Sequence, residues 1–147
     1  MSRLTVNLAR ETLPLLQDAR RSFVLANPNL NPSDSAAIDY GVSLIRQFKK
    51  EGGSILWADL MDPNFDFSRF ALTYAFPRSI RYRTTIDRAI VPKLDGLCNA
   101  ELSPCFKGKI YRNFLIRAVL RASYALTHES EFRDVLIRPT KKSPEPL

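Results

Sequence analysis

The sequence predicts a mainly α-helical fold with two short strands, built from a strand–helix–helix unit written twice. Three observations carry that expectation. Two stretches about 78 residues apart follow the same pattern, within each the apolar period changes from two to between three and four, and breakers fall at the joints. At that offset Arg3 pairs with Arg81, Leu8 with Ile86, Arg10 with Arg88, Pro14 with Pro92 and Leu16 with Leu94. Farther on, at an offset one shorter, Ile38, Gly41 and Val42 fall on Leu115, Ala118 and Val119. Each unit is too small to bury its own apolar face, so the two must pack on each other.

In residues 3–8, Leu4, Val6 and Leu8 share one face while Arg3, Thr5 and Asn7 share the other, as in a half-buried strand. From about Arg10 the stripe Leu13, Leu16, Ala19, Phe23 marks an amphipathic helix, with Pro14 in its first turn where a missing N–H costs nothing. The run Asn27-Pro28-Asn29-Leu30-Asn31-Pro32 ends it near Ala26. Ser33 or Asp34 then caps a second helix, whose inner side carries Ala37, Ile38, Gly41, Val42, Leu44 and Ile45 and whose end is followed by Gly52-Gly53.

The second unit is less regular. Residues 81–87 alternate, with Tyr82, Thr84 and Ile86 inward and Arg83 and Thr85 outward. Val91, Leu94 and Leu97 give the next helix its stripe, and Ser103-Pro104 breaks it. Residues 110–124 predict the longest helix, with Phe114, Leu115, Ala118, Val119 and Ala122 as its apolar stripe. Between the units, Trp57, Leu60, Phe65, Phe67, Phe70, Tyr74 and Phe76 are too many apolar side chains for a plain linker, so this segment is expected to pack back on the helices, with a short helix near residues 67–74. The organisation expected is one domain over residues 1–139, with a first repeat at 1–50, an aromatic connection at 51–79, a second repeat at 80–126, and a polar, Pro-rich disordered tail at 140–147.

Composition narrows the function classes. Hydrophobic residues make up 45% of the 147-residue chain, too many for a disordered chain and enough for one modest core. No apolar run of about 18 residues exists, so no membrane span is expected, and the patterned polar start is not that of a signal peptide. Cys98 and Cys105 have no metal or redox spacing and read as reduced, in a cytoplasmic protein. The net charge of +7 is unevenly spread: +3 over residues 1–50, −3 over 51–77, +7 over 78–125 and zero beyond. The basic excess therefore sits in the two repeats, at Lys107, Lys109, Arg112, Arg117 and Arg121 above all.

No catalytic constellation can be assembled. His128 is isolated in THESEF, and there is no Ser-His-Asp order, phosphate loop or carboxylate pair with a nearby His. Asp59, Asp62 and Asp66 lie close together but lack the Gly and distal Glu of a calcium loop. The chain is expected to be no enzyme and to need neither metal nor other cofactor.

The stretches SRLTVNL and NPSDSAAIDYGVSLI, with RYRTTID and KIYRNFLIRAVL in the second unit, resemble the ribbon-helix-helix (Arc/MetJ-type) DNA-binding superfamily over roughly residues 2–50 and 80–125. In that family two copies, most often from two chains, pair their strands into an antiparallel ribbon that enters the DNA major groove, which implies here a mainly α fold with a short two-stranded antiparallel ribbon. Here both copies lie in one chain, which resembles a single-chain pseudodimer and implies a monomer. The sequence departs from the pattern in placing Thr84 inward and in lacking a Ser/Asp cap on its second long helix. The resemblance implies that outward Arg3, Thr5, Asn7, Arg81, Arg83 and Thr85 contact bases. Such side chains suit the task, since Arg can hold guanine, Asn adenine, and Thr a thymine methyl. It implies phosphate contacts at the second-helix N-termini: amides around Ser33, Asp34 and Ser35 in one copy, and Lys107, Lys109 and Arg112 in the other. Helix N-termini favour anions, and Asp34 weakens the first of these sites.

The expected function is sequence-preferring binding of double-stranded DNA. Tandem single-chain versions of this fold occur among conjugation and T-DNA-transfer accessory proteins, which implies a relaxosome or transfer role with a relaxase as partner. Transcriptional, plasmid copy or partition control is the other role. The rival from another class is a protein-interaction module or antitoxin-like adaptor, docking through the aromatic segment and the last long helix.

Overall fold

The computed structural model describes residues 3–8, 12–62 and 82–138. The fold is mainly helical, with a short two-stranded antiparallel sheet at one edge. Strand β1 (Arg3–Leu8) leads to helices α1 (Thr12–Ala26) and α2 (Asp34–Lys50). A two-residue strand β2 (Ser54–Ile55) and a one-turn helix α3 (Trp57–Leu60) follow. Strand β3 (Tyr82–Asp87), helix α4 (Val91–Leu97), helix α5 (Arg112–Thr127) and a two-residue strand β4 (Leu136–Ile137) complete the order.

Alternation in the two ribbon strands became register because one face has a core to meet. β1 and β3 pair antiparallel as Leu4↔Ile86, Thr5↔Thr85, Val6↔Thr84, Asn7↔Arg83 and Leu8↔Tyr82. Val6, Leu8, Thr84 and Ile86 are buried, whereas Thr5, Asn7, Arg83 and Thr85 are exposed. A slip of one residue would exchange those two sets, so burial fixes the pairing.

The helices start and stop where local chemistry dictates. Ser33 caps α2, its hydroxyl accepting from the Ala36 amide at 3.0 Å. Lys49 and Lys50 lie in its last turn, where cations suit the helix dipole. Gly52, at a φ of 90°, turns the chain, and Gly53 lies under the Phe48 ring, where an added Cβ would approach ring carbons to 2.4 Å. In the second half a 3₁₀ turn (Arg88–Ile90), α4 and a π turn (Cys98–Leu102) of 3, 7 and 5 residues replace a single 15-residue helix such as α1. At 17 residues α2 exceeds α5, with 16, so the longest helix lies in the first half rather than at 110–124.

α5 is the pillar of the core. α1 and α2 pack on each other and on α5, and each ribbon strand lies on the distant long helix: β1 on α5 and β3 on α2. At the α2–α5 contact, a Cβ on Gly41 would sit 3.0 Å from Val119 Cγ1, so glycine sets how closely the helices approach. Leu8, Leu15, Leu16, Ile38, Ile45, Ile86, Leu94 and Leu102 are fully buried between these elements.

The described part of the connection after α2, residues 51–62, packs back on the helices, and the aromatic residues at 65–76 lie outside the described residues. Trp57 is buried and its Nε1–H donates to Glu101 Oε1 at 3.2 Å, while the Leu60 carbonyl accepts from Arg121 at 2.8 Å. Arg121 is buried, so it drops out of the basic surface expected along α5. Residues 126–138 fold as well: Phe132 and Val135 enter the core, and β4 pairs with β2. Arg138 closes this end, donating to Glu51 at 2.9 Å and to both carboxylate oxygens of Glu129. The helix expected near 67–74 and the tail at 140–147 lie outside the described residues. Among the described residues, no helix is long and apolar enough to cross a membrane.

Candidate nucleic-acid interface

The outward face of the ribbon is built by the register. Thr5 stands opposite Thr85 and Asn7 opposite Arg83, so four polar side chains of the expected base-contacting set share one exposed surface. Residues two apart on a strand lie about 7 Å apart, close to two base-pair steps. Two strands spaced about 4.8 Å apart fit within a groove about 12 Å wide. Such a surface can present Asn and Arg amide and guanidinium groups to base edges without moving the helices. Arg3 has its backbone in the ribbon, opposite Asp87; its side chain, and the whole of Arg81, lie outside the described residues.

The starts of α2 and α5 differ in charge. The first turn of α2 is locked against β3. Thr84 Oγ1 donates to Asp34 Oδ2 at 2.5 Å, and the Asp87 amide donates to Ser35 Oγ at 2.9 Å. Ser35 is 7% exposed, so its side chain holds the ribbon in place and is turned away from any phosphate. Ser33 is exposed and occupied as the helix cap. Ser33, Ser35, Ala36, Asp39 and Asp87 line a hollow of about 220 Å³ there. Its carboxylates oppose an anion, although Lys93 pairs with Asp39 at 3.1 Å.

The segment leading into α5 is basic. α5 lies against β1, and the residues before and at its start include exposed Lys107 and Lys109 and half-buried Arg112. Arg112 forms an ion pair with Asp95 at 3.5 Å, while among the described residues neither Lys107 nor Lys109 has an acidic partner. Of the two phosphate sites expected, this one has the charge. Asp34 itself is engaged by Thr84, and the carboxylates that line the hollow are those of Asp39 and Asp87.

Among the described residues no group of three or more His, Cys, Asp or Glu could hold a metal, and Cys98 and Cys105 are free thiols. His128 caps α5, with Nδ1 3.0 Å from the Tyr124 carbonyl and its ring stacked on Tyr124 at 4.0 Å. The last long helix offers little docking surface, because residues 115–116 and 118–125 are all buried. The contacts of Asp34 and Ser35 with β3 were hidden in the sequence, which gives no sign of which strand a helix start will meet.

Comparison with known proteins finds no matching family model, no matching curated protein and no matching solved structure.

Proposed function

We propose that the chain binds double-stranded DNA with sequence preference, inserting the β1–β3 ribbon into the major groove as a single-chain ribbon-helix-helix pseudodimer. The observation that carries this reading is the register, which gathers Thr5, Asn7, Arg83 and Thr85 on one exposed face and puts the apolar partners beneath. The exchange of partners supports it too. β1 lies on α5, β3 on α2, and α2 crosses α5 at Gly41 and Val119, as two units related by a two-fold axis would pack. The net charge of +7 suits a polyanion.

The unequal halves imply an asymmetric site, because Asn7 and Arg83 read different bases and the α5 end grips phosphate harder than the α2 end. The protein acts as a monomer in the cytoplasm, as a relaxosome or DNA-transfer accessory factor beside a relaxase, or as a transcriptional regulator.

Fluorescence anisotropy on a preferred duplex and on bulk DNA tests this. Arg83→Ala should weaken the preferred duplex by about 1–3 kcal/mol more than bulk DNA. Lys107→Ala or Lys109→Ala should weaken both and flatten the salt dependence by about one unit per lost phosphate contact. Equal losses for both kinds of mutant on every sequence would mean that the ribbon reads no bases.

A further inference from the structure

Just before α5, residues 106–111 carry aromatic surface that the ribbon reading does not use. Tyr111 is 62% exposed, a large ring left in water just before α5. Lys109 Nζ stands 5.3 Å from its centroid, so a cation already occupies one approach to the ring. Behind it Phe106 and Phe114 meet edge to face at 5.3 Å, and the Arg117 guanidinium lies over Phe114 at 5.3 Å. Phe106, Ile110, Phe114 and Tyr111 line a hollow of about 180 Å³ whose rim is Lys107 and Lys109. Gly108, at a φ of 83°, bends the chain between the two lysines. Half-buried aromatics support the loop, an exposed aromatic crowns it, and Lys107 and Lys109 line the same hollow.

We propose that residues 106–111 form a platform for single-stranded nucleic acid, with the Tyr111 ring stacking on an unpaired base and Lys107 and Lys109 holding the flanking phosphates. Proteins that hold single strands combine aromatic stacking with a cationic path for the backbone. Paired bases hide their faces in the duplex stack, so an exposed ring gains nothing from intact duplex. Two lysines beside an exposed ring suit a base with its own phosphates. The hollow is too small for most drug-sized ligands, which occupy about 300 Å³ or more. The platform's rings are separate from the ribbon face, while its two lysines are those assigned above to duplex phosphates, so one cationic stretch serves both. Together the two surfaces fit a junction where duplex opens into a single strand.

Three fluorescent probes test this on the full chain: a blunt duplex, the same duplex with a five-nucleotide thymidine extension, and a twelve-nucleotide oligothymidine. The extension should tighten binding, and Tyr111→Ala should remove that gain, a loss of about tenfold in affinity within the range found for single stacking residues. The same variant should leave the blunt duplex unchanged, and Tyr111→Trp should restore the gain. Unchanged circular dichroism identifies folded variants, and Tyr111→Phe supplies a second, smaller perturbation that also keeps the gain. An extension that adds no affinity, or a Tyr111→Ala loss equal on blunt and extended duplex, overturns the platform. Tyr111-dependent oligothymidine binding with no blunt-duplex binding sustains the platform and overturns the ribbon reading alone.

Discussion

Thr84 of β3 hydrogen-bonds Asp34 at the first turn of α2, joining positions 50 residues apart in the chain. Thr84 is an inward position where the strand pattern calls for an apolar side chain, and it is 5% exposed. Its hydroxyl donates to a carboxylate that also meets Arg20 at 3.5 Å. Replacing Thr84 with Val keeps the shape and leaves the carboxylate short of a donor. We expect a loss of about 1–3 kcal/mol, read as a lower urea midpoint at unchanged slope. Thr84→Ser, which keeps the hydroxyl, should lose less. A Thr84→Val protein as stable as the parent would mean that the bond contributes nothing net.

The α2–α5 crossing depends on Gly41. A Cβ there would lie 3.0 Å from Val119 Cγ1 and 3.4 Å from Ser123 Cβ. Gly41→Val should cost about 1–3 kcal/mol through overpacking. Gly41→Ala sets a helix gain of about 1 kcal/mol against milder crowding and should come out near neutral. Thermal melts of the two variants check this; equal melting temperatures for Val and Gly would mean that the helices separate freely.

Asp18 gives the fold a pH dependence. Burial pushes its carboxyl above the ordinary carboxylate value, against the opposing pull of His128 and of Arg21 at 3.4 Å. A raised folded-state value means that the folded chain holds this proton more tightly than the unfolded one. Its contribution to stability is complete below the unfolded value of about 3.9 and is lost as pH rises through the folded value. Asp18→Asn should therefore raise the melting temperature at pH 7, with the gain shrinking as pH falls through the raised folded value and gone below about 4. Destabilisation by Asn at pH 7 would mean that the ion pair outweighs burial.

The halves should depend on each other. A fragment of residues 1–53 lacks β3 and α5, leaving Leu8, Ile38 and Val42 uncovered. Units this small rarely bury enough surface to stand alone. The fragment should be unfolded or self-associated, and adding residues 78–147 should restore helix signal by circular dichroism. A well-dispersed NMR spectrum of the monomeric fragment would contradict this.

What could be read from the sequence followed the range of the forces involved. Alternation at Leu4, Val6 and Leu8, the Ser33 cap and the glycines after α2 act over a few residues, and each was legible. Contacts that join distant segments were not, save the β1–β3 pairing that the resemblance implied. Pairing of Ser54–Ile55 with Leu136–Ile137 needs only two residues a side and leaves no period to detect. Ser35 reads as a helix-start donor for phosphate until β3 is in place, and then its hydroxyl belongs to the Asp87 amide. Arg121 reads as surface charge until its carbonyl partner at Leu60 appears. The face of the ribbon was legible because burial of the other face decides it.

Selection from a random duplex pool, followed by sequencing of the retained DNA, tests the central claim most directly. The account predicts a short asymmetric motif that loses definition at separate positions in Asn7→Ala and Arg83→Ala proteins. Retention of DNA without any motif, or a motif unchanged in both variants, would contradict base reading by the β1–β3 ribbon.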